Sequence, residues 1–303
     1  MPTYNVAPYV EEAVKSILHQ TYQHLELIIV DDCSTDGTYE ILQKISQTDS
    51  RIKLKRNDVN CKICITLNRA LKEAEGAYIG RMDGDDVSEP DRFAVLKNNL
   101  DEHPEVDLVG SQLISIDESG QILSMKKYLR SPAFIRLGNR TSSCVPHAWL
   151  ARRTVYENLD GYRNIPFAED YDFLLRGEKE GFCYANVKRY LYQVRIRQGN
   201  TGSTNGLKQI KLKYYVQDIN SSRIPYVEET YQKALTCTIS EQKSFLKAHK
   251  HLTTAVKSRK KPCKLIYHVL AGCLQSKYVF KYLLETIWVR ILIFVEDLCI
   301  PRK

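Results

Sequence analysis

Apolar residues recur in two rhythms along the first hundred positions, and their alternation predicts the architecture. Val10, Ala13, Val14, Ile17 and Leu18 fall at helical spacing, with Pro8 suited to the first turn. Residues 25–30 are short and nearly all apolar, the pattern of a buried strand, and they run into Asp31 and Asp32. Residues 34–38 carry turn and N-cap chemistry for a helix over 38–47. A strand is expected at 52–55 and a helix at 63–74, closed by Gly76. A strand at 77–82 then enters Asp83-Gly84-Asp85-Asp86, followed by a helix over 91–103 and an extended run over 106–116. This rhythm predicts an α/β fold: a largely parallel twisted sheet with helices on both faces. Ligands bind at the carboxyl ends of such strands.

The middle, about 117–200, is less regular. It predicts two short strands, the loop 166–170 and a helix over 171–180. From 205 onward the pattern is helical, with helices expected over 208–221, 228–235 and 241–256. A last amphipathic region follows Pro262. The expected organisation is therefore a catalytic-type α/β domain over 1–202 and an all-helical extension over 203–303.

Composition changes this picture little, but charge does. Hydrophobic residues make up 43% and charged residues 26%, enough for a real core and against disorder. Residues 203–303 hold 18 Lys/Arg against 7 Asp/Glu, while the rest of the chain holds 26 against 29. The basic extension suits an anionic lipid surface, or a helical bundle with solvated charges. Nucleic acid is disfavoured, because no recognition motif accompanies the charge. The nine cysteines are scattered and odd in number, so they read as reduced thiols in a cytoplasmic setting. Cys61 and Cys64 lack a second pair at zinc-finger spacing. Neither a secretory signal nor an uninterrupted apolar stretch of about 18 residues is visible.

The acidic turns carry the candidate chemistry. Three carboxylates within 83–86 repel one another unless a cation or hydrogen-bond donors compensate them. Oxygen ligands of this kind suit Mg²⁺ or Mn²⁺, which also take substrate phosphate oxygens. The plainer alternative is a solvated loop capping the next helix. Glu169 and Asp170 open a helix whose dipole favours negative charge, which is also ordinary N-terminal chemistry.

Taken in order, these segments resemble glycosyltransferase family 2, whose members have the GT-A fold. The likeness covers about residues 1–200. It rests on Met1 to Asn5, on 16–22 (SILHQTY), on 27–38 (LIIVDDCSTDGT), on 76–86 (GAYIGRMDGDD) and on Gly161-Tyr162 with 168–172 (AEDYD). The resemblance implies an inverting transfer of sugar from a nucleotide-diphosphate donor, with uridine the expected nucleoside. The acceptor is a hydroxyl of a saccharide or lipid-linked glycan, in bacterial polysaccharide or lipopolysaccharide synthesis. A truncated, non-catalytic nucleotide-sugar-binding or scaffold protein is the alternative. Tyr4 would stack on the base with Thr3 beside it, and Asp32 would accept a hydrogen bond from the base. Asp83 would lie by the ribose and diphosphate, Asp85 would hold Mn²⁺ or Mg²⁺, and Asp170 would be the general base. His147 and Trp149, with Glu169, fall on the acceptor side; for His147 and Trp149 a buried, packed role is the alternative.

Three departures from the family pattern carry expectations. The resemblance puts Met1 near the end of the family's first strand, normally central in the sheet. A misplaced start or truncated product would leave a gap flanked by unpaired backbone groups. Lys62 stands where the family has Gly, so a different local turn is expected. Arg197 stands where a metal-binding His is common, which implies one fewer metal ligand and an Arg on the phosphates. The basic tail, with Lys257, Arg259, Lys260, Lys261 and Lys264, then Trp288, Arg290, Arg302 and Lys303, would hold the protein peripherally at the inner face of the cytoplasmic membrane.

Overall fold

The apolar run after the first helix becomes a fully buried strand, and the domain is built outward from it. The computed structural model describes residues 1–197, 205–258 and 261–299, the side chains of 256, 257 and 262 excepted. Strands β1 (Pro2–Thr3), β2 (Leu27–Asp31) and β3 (Ile52–Arg56) form a parallel sheet in that order. All five residues of β2 are buried because helices cover both faces. Leu27 and Ile29 pack with Val10, Ala13, Val14 and Ile17 of α1 (Val10–Leu18) and with Leu42 of α2 (Thr38–Ser46). Ile28 and Val30 face Ala70 of α3 (Lys62–Lys72). Pro8 precedes α1 rather than lying in its first turn.

The second sheet runs β4 (Tyr78–Gly80), β8 (Leu150–Arg152), β6 (Leu108–Ile116), β9 (Tyr184–Arg195) and β5 (Val87–Ser88), with β7 (Ile122–Lys126) paired to β6. Only β6 and β9 are parallel there; the other pairs are antiparallel. Parallel pairing thus holds for β1–β3 and for β6 with β9. The antiparallel pairs need no crossover helix, and most of them use strands of the irregular middle segment. Helices α4 (Arg92–Glu102), α5 (Pro132–Asn139), α6 (Arg153–Asn158) and α7 (Glu169–Lys179) complete this part.

Among the described residues β1 pairs only with β2 and β4 only with β8, so the two sheets do not join. A cavity of about 830 Å³ lies between them, lined by Leu27, Ile28, Leu67, Ala70, Tyr78 and Gly80. Met1 reaches its edge, and its ammonium donates to the Ile28 carbonyl at 2.7 Å. Burial, opposed by Asp83, lowers that ammonium's pKa to about 5.

Contacts divide the chain into two units, residues 1–198 with 296–303 and residues 199–295. The described part of the second unit is helical: α8 (Gly206–Asn220), α9 (Glu228–Leu235), α10 (Ile239–Lys257) and α11 (Pro262–Gln275). The long last helix, α12 (Lys277–Cys299), runs through 295 and ends among residues of the first unit. The amphipathic region after Pro262 is therefore two helices. Arg259, Lys260, Arg302 and Lys303 lie outside the described residues.

Candidate active site

The acidic turn after β4 is held in place from several sides. Buried Arg92 donates Nη2 to the carbonyls of Arg81 (2.8 Å) and Ala148 (2.9 Å), tying the turn to the segment that carries His147. Burial lowers the pKa of Arg92 to about 10, still charged at neutral pH. Gly84 lies against β1: a Cβ there would stand 2.6 Å from Cγ2 of Thr3. A side chain at 84 would push the acidic turn away from the first strand.

The three carboxylates of the turn have different partners. Asp83 sits 3.5 Å from Arg81 Nε and 3.6 Å from His147 Nε2. Burial raises its pKa, but Arg81, His147 and the Met1 ammonium outweigh burial and hold the carboxyl below its usual range. Asp86 accepts the Tyr192 hydroxyl at 2.8 Å on one oxygen and the Arg195 N–H at 2.8 Å on the other. Asp85 accepts Arg197 Nε at 2.7 Å. Burial and its neighbours Asp86 and Asp83 nonetheless push Asp85 up to about 6.

Arg81 joins this turn to the start of α7. Its Nη2 donates to buried Glu169 at 2.9 Å while its Nε faces Asp83. Its Nη1 is buried without a hydrogen-bond partner. Asp170 follows Glu169 in the first turn of α7, half-buried, accepting the N–H of Tyr171 at 2.7 Å. Burial raises the pKa of Glu169 despite Arg81. The helix begins at Glu169, two residues earlier than its apolar pattern suggests, after Phe167 at φ 76°. Inside α7, Asp172 binds Arg176 at 2.9 Å, and Arg176 also grips the carbonyls of Leu159 and Gly161.

The remaining expected residues divide. Thr3 is buried and donates to Asp31 at 3.2 Å, while Tyr4 is exposed beside it. Asp32 is buried, with both oxygens engaged: Asn57 Nδ2 and the Cys61 N–H at 2.7 Å on one, the Lys62 N–H at 2.9 Å on the other. In this structure Asp32 organises the 57–62 loop. Lys62 itself takes the left-handed conformation that glycine adopts freely, φ 68°. The N–H bonds of Cys61 and Lys62 to Asp32 offset that strain. Trp149 corrects the acceptor-side expectation. It is fully buried, donates to Tyr156 at 2.9 Å and stacks on Phe173, so it is core. Glu169 is likewise buried and serves as the partner of Arg81. Arg197, expected on phosphates, holds Asp85. Cys61 and Cys64 are free thiols, and burial pushes the Cys64 thiol up, away from reactivity.

A divalent cation fits these residues. Ligand atoms of Asp83, Asp86 and His147 lie within 4.8 Å of one another. His147 Nε2 is buried without a hydrogen bond, 3.6 Å from both carboxylates. Burial lowers the pKa of His147, but Asp83 and Asp86 raise it further, to a net rise. Each Asp86 oxygen accepts one hydrogen bond and keeps a lone pair, so Asp83, Asp86 and His147 are the clustered ligands, whereas Asp85, the residue expected to hold the metal, is paired with Arg197 and lies outside that cluster. A set of oxygens with one imidazole suits Mn²⁺ or Mg²⁺.

Arg81, Tyr192 and Arg195 were not singled out from the sequence, and Asp86 only as one of the three carboxylates of the acidic turn. Arg81 had a signal, a lone cation two residues before an acidic turn. Tyr192 and Arg195 lie on a strand whose 12-residue length the pattern did not reveal.

A family model described as glycosyl transferase family 2 matches residues 1–160. An Escherichia coli (strain K12) chain named as a colanic acid biosynthesis glycosyl transferase, WcaA, is 32% identical over 244 residues, covering 77% of this chain and 84% of that one. The S. aureus TarS 1–349 structure in complex with UDP-GlcNAc matches with TM-score 0.61 at 18% identity, over 90% of this chain and 79% of that one. The mannosyltransferase PcManGT from Pyrobaculum calidifontis, in complex with GDP-Man and Mn²⁺, matches with TM-score 0.58 at 17% identity, over 95% and 85%. With the family model spanning more than half its length and the same α/β architecture in these transferases, the chain belongs to glycosyl transferase family 2 and has the GT-A fold.

Proposed function

We propose that the chain is an inverting glycosyltransferase, moving a sugar from a nucleotide-diphosphate donor to an acceptor hydroxyl in surface-polysaccharide or lipopolysaccharide synthesis. One observation carries the reading: Arg81 contacts Asp83 and Glu169 together, so the acidic turn and the first turn of α7 belong to one site. Thr3 and Tyr4 border the nucleotide, and Asp32 shapes that wall and accepts from the base. Asp83 lies by the ribose and diphosphate. Asp83, Asp86 and His147, joined by Asp85 when Arg197 releases it, would hold Mn²⁺ or Mg²⁺, which supplies positive charge for the departing diphosphate. Arg197, displaced from Asp85, turns its guanidinium to the phosphate oxygens. Asp170, the carboxylate of the first turn of α7 left without a cationic partner in hydrogen-bond range among the described residues, takes the proton from the acceptor hydroxyl. Attack from that side inverts the anomeric centre.

The polysaccharide setting is supported by the name of the E. coli relative. The two structural neighbours carry UDP-GlcNAc and GDP-Man, so uridine remains part of the proposal. A lipid-linked acceptor would suit a chain held at the inner face of the membrane by its basic extension. The Asp85–Arg197 ion pair favours a second reading, a nucleotide-sugar-binding protein without turnover.

A panel of UDP- and GDP-sugars, with Mn²⁺, Mg²⁺ or chelator, separates the two by release of free nucleotide and identification of product. Asp170→Asn is expected to lower turnover by about 10³-fold with donor binding kept. Asp85→Asn should abolish the metal response. Donor binding without turnover under all conditions supports the second reading. Undiminished turnover in Asp170→Asn overturns the assignment of the base.

A further inference from the structure

The last helix, α12, is apolar on both sides. Val279 and Leu292 point inward and are buried. Outward, Phe280, Leu284, Ile287, Ile291, Phe294 and Leu298 form a stripe spaced four and three residues apart, each 47–70% exposed. A helix apolar all round needs cover on both sides, and an apolar patch of this length marks an interaction surface.

Charge identifies the cover. The acidic residues that break any clean basic face in the sequence are turned away from it. Glu285 is buried and bound by Lys213 and the Tyr214 hydroxyl. Glu296 is buried and accepts the N–H groups of Arg130 and Ser131. Asp297 is engaged by Lys127 and Arg130. The exposed residues beside the stripe include Lys277, Lys281 and Arg290, together with Trp288. Apolar residues flanked by cations and an amphipathic aromatic match the boundary between acyl chains and anionic headgroups. Among the described residues no helix is long and apolar enough to cross a membrane.

We infer that the outward face of α12 is an interfacial membrane anchor, lying in the plane of an anionic bilayer. This deepens the reading of a lipid-linked acceptor and rests on it for its purpose, but its test needs neither donor nor metal, so the two can fail separately.

The full chain is mixed with vesicles of phosphatidylcholine, alone or with 30% phosphatidylglycerol, and floated through a density gradient. Most of the protein is expected to float with the anionic vesicles and little with the neutral ones. Raising NaCl from 0.15 to 0.5 M should weaken binding at least several-fold. Ile287→Ser with Ile291→Ser should reduce it about tenfold, with melting behaviour and helical circular dichroism unchanged. Lys277→Gln with Arg290→Gln, which leaves the apolar stripe intact, should reduce only the anionic preference. Equal binding to both vesicle types, or none, overturns the inference. So does a dimer, seen by light scattering without lipid, that Ile287→Ser with Ile291→Ser dissolves, because a second copy then covers the stripe.

Discussion

Strand β4 meets two opposite environments within a few residues. At its carboxyl end the chain enters a polar turn in which Asp83, Asp85 and Asp86 each face a partner: Arg81 and His147, Arg197, and Tyr192 with Arg195. Along its flank the strand is open. Hydrogen bonds from Arg81 N–H to Trp149 and from Arg153 N–H to Ala77 turn residues 77, 79 and 81 toward β8. Tyr78 and Gly80 therefore direct their backbone groups toward the cavity between the sheets. The acidic turn stays in place although the sheet behind it is interrupted. Its position comes from side chains that reach across from α4, β9 and α7, led by Arg92, Tyr192 and the Glu169 that holds Arg81, and not from a continuous ladder of strands.

Breaking the polar side should have the largest effect. Arg81→Met keeps the apolar stem of the side chain and removes the cation between Asp83 and Glu169. Glu169 would then be a buried carboxylate without its charged partner, a loss of about 3–5 kcal/mol. Denaturant unfolding should show it as a lower midpoint with an unchanged slope. Arg81→Lys, which keeps the charge but loses the fork, should fall between. A stability change below about 1 kcal/mol for Arg81→Met would mean that sheet and loop packing hold the turn, and the comparison would fail.

Filling the apolar side should act in the other direction and more weakly. Five extended apolar residues joined ahead of Met1 replace its buried ammonium with an amide and offer strand partners to Ile28 and to the edge of β4. Apolar side chains contribute about 1.5–3 kcal/mol each when fully buried, and ordering each residue costs roughly 1–2 kcal/mol. A net gain of about 2 kcal/mol is expected, read as a higher denaturation midpoint, with slowed amide exchange at Tyr78 and Gly80. An extension of five Ser and Gly residues serves as the control. Equal effects from the two extensions would show that the cavity does not accept a strand.

The sequence made some of this legible for physical reasons. Helical periodicity and short apolar runs report burial, so α1 and β2 could be read closely. Acidic residues at strand ends are local signals, and 83–86 stood out at once. The antiparallel strands were harder to see. Strand β7 is wholly exposed and β8 is three residues long, so neither carries a pattern. Long-range polar joints have no local signature: nothing near Arg92 shows that its guanidinium will hold two carbonyls 67 residues apart, at 81 and 148. Asp32 and Trp149 show the converse limit. Their motif marked them as important, but only the structure reveals that Asp32 ties the 57–62 loop and that Trp149 is packed into the core.

The two ends of α7 sharpen the same comparison. Glu169, in the first turn, faces a guanidinium, whereas Glu178, in the last, has among the described residues only the Asn139 amide at 2.7 Å within hydrogen-bond reach. Burial raises the Glu178 carboxyl from 4.5 to about 7, and the Asn139 bond with the more distant Arg136 and Arg140 offsets this only in part. A carboxyl whose folded pKa is raised adds stability below its unfolded pKa, and that stability is lost as pH climbs through the folded value. The wild-type chain should therefore lose stability between about pH 4.5 and 7 from this residue alone. Glu178→Gln keeps an oxygen for Asn139 and removes the titration. Near pH 4 the two proteins should be equally stable; at pH 8 the variant should be more stable by about 1–2 kcal/mol, below the full linkage value because buried sites relax. Urea unfolding at the two pH values measures the difference directly. The same variant made at Glu169, whose carboxyl burial also raises, should shift stability with pH in the same direction but by less, because Arg81 opposes burial there. A larger gain at pH 8 for the Glu178 variant than for the Glu169 variant would isolate the cationic partner as the cause of the difference, and equal gains would reduce both to simple burial.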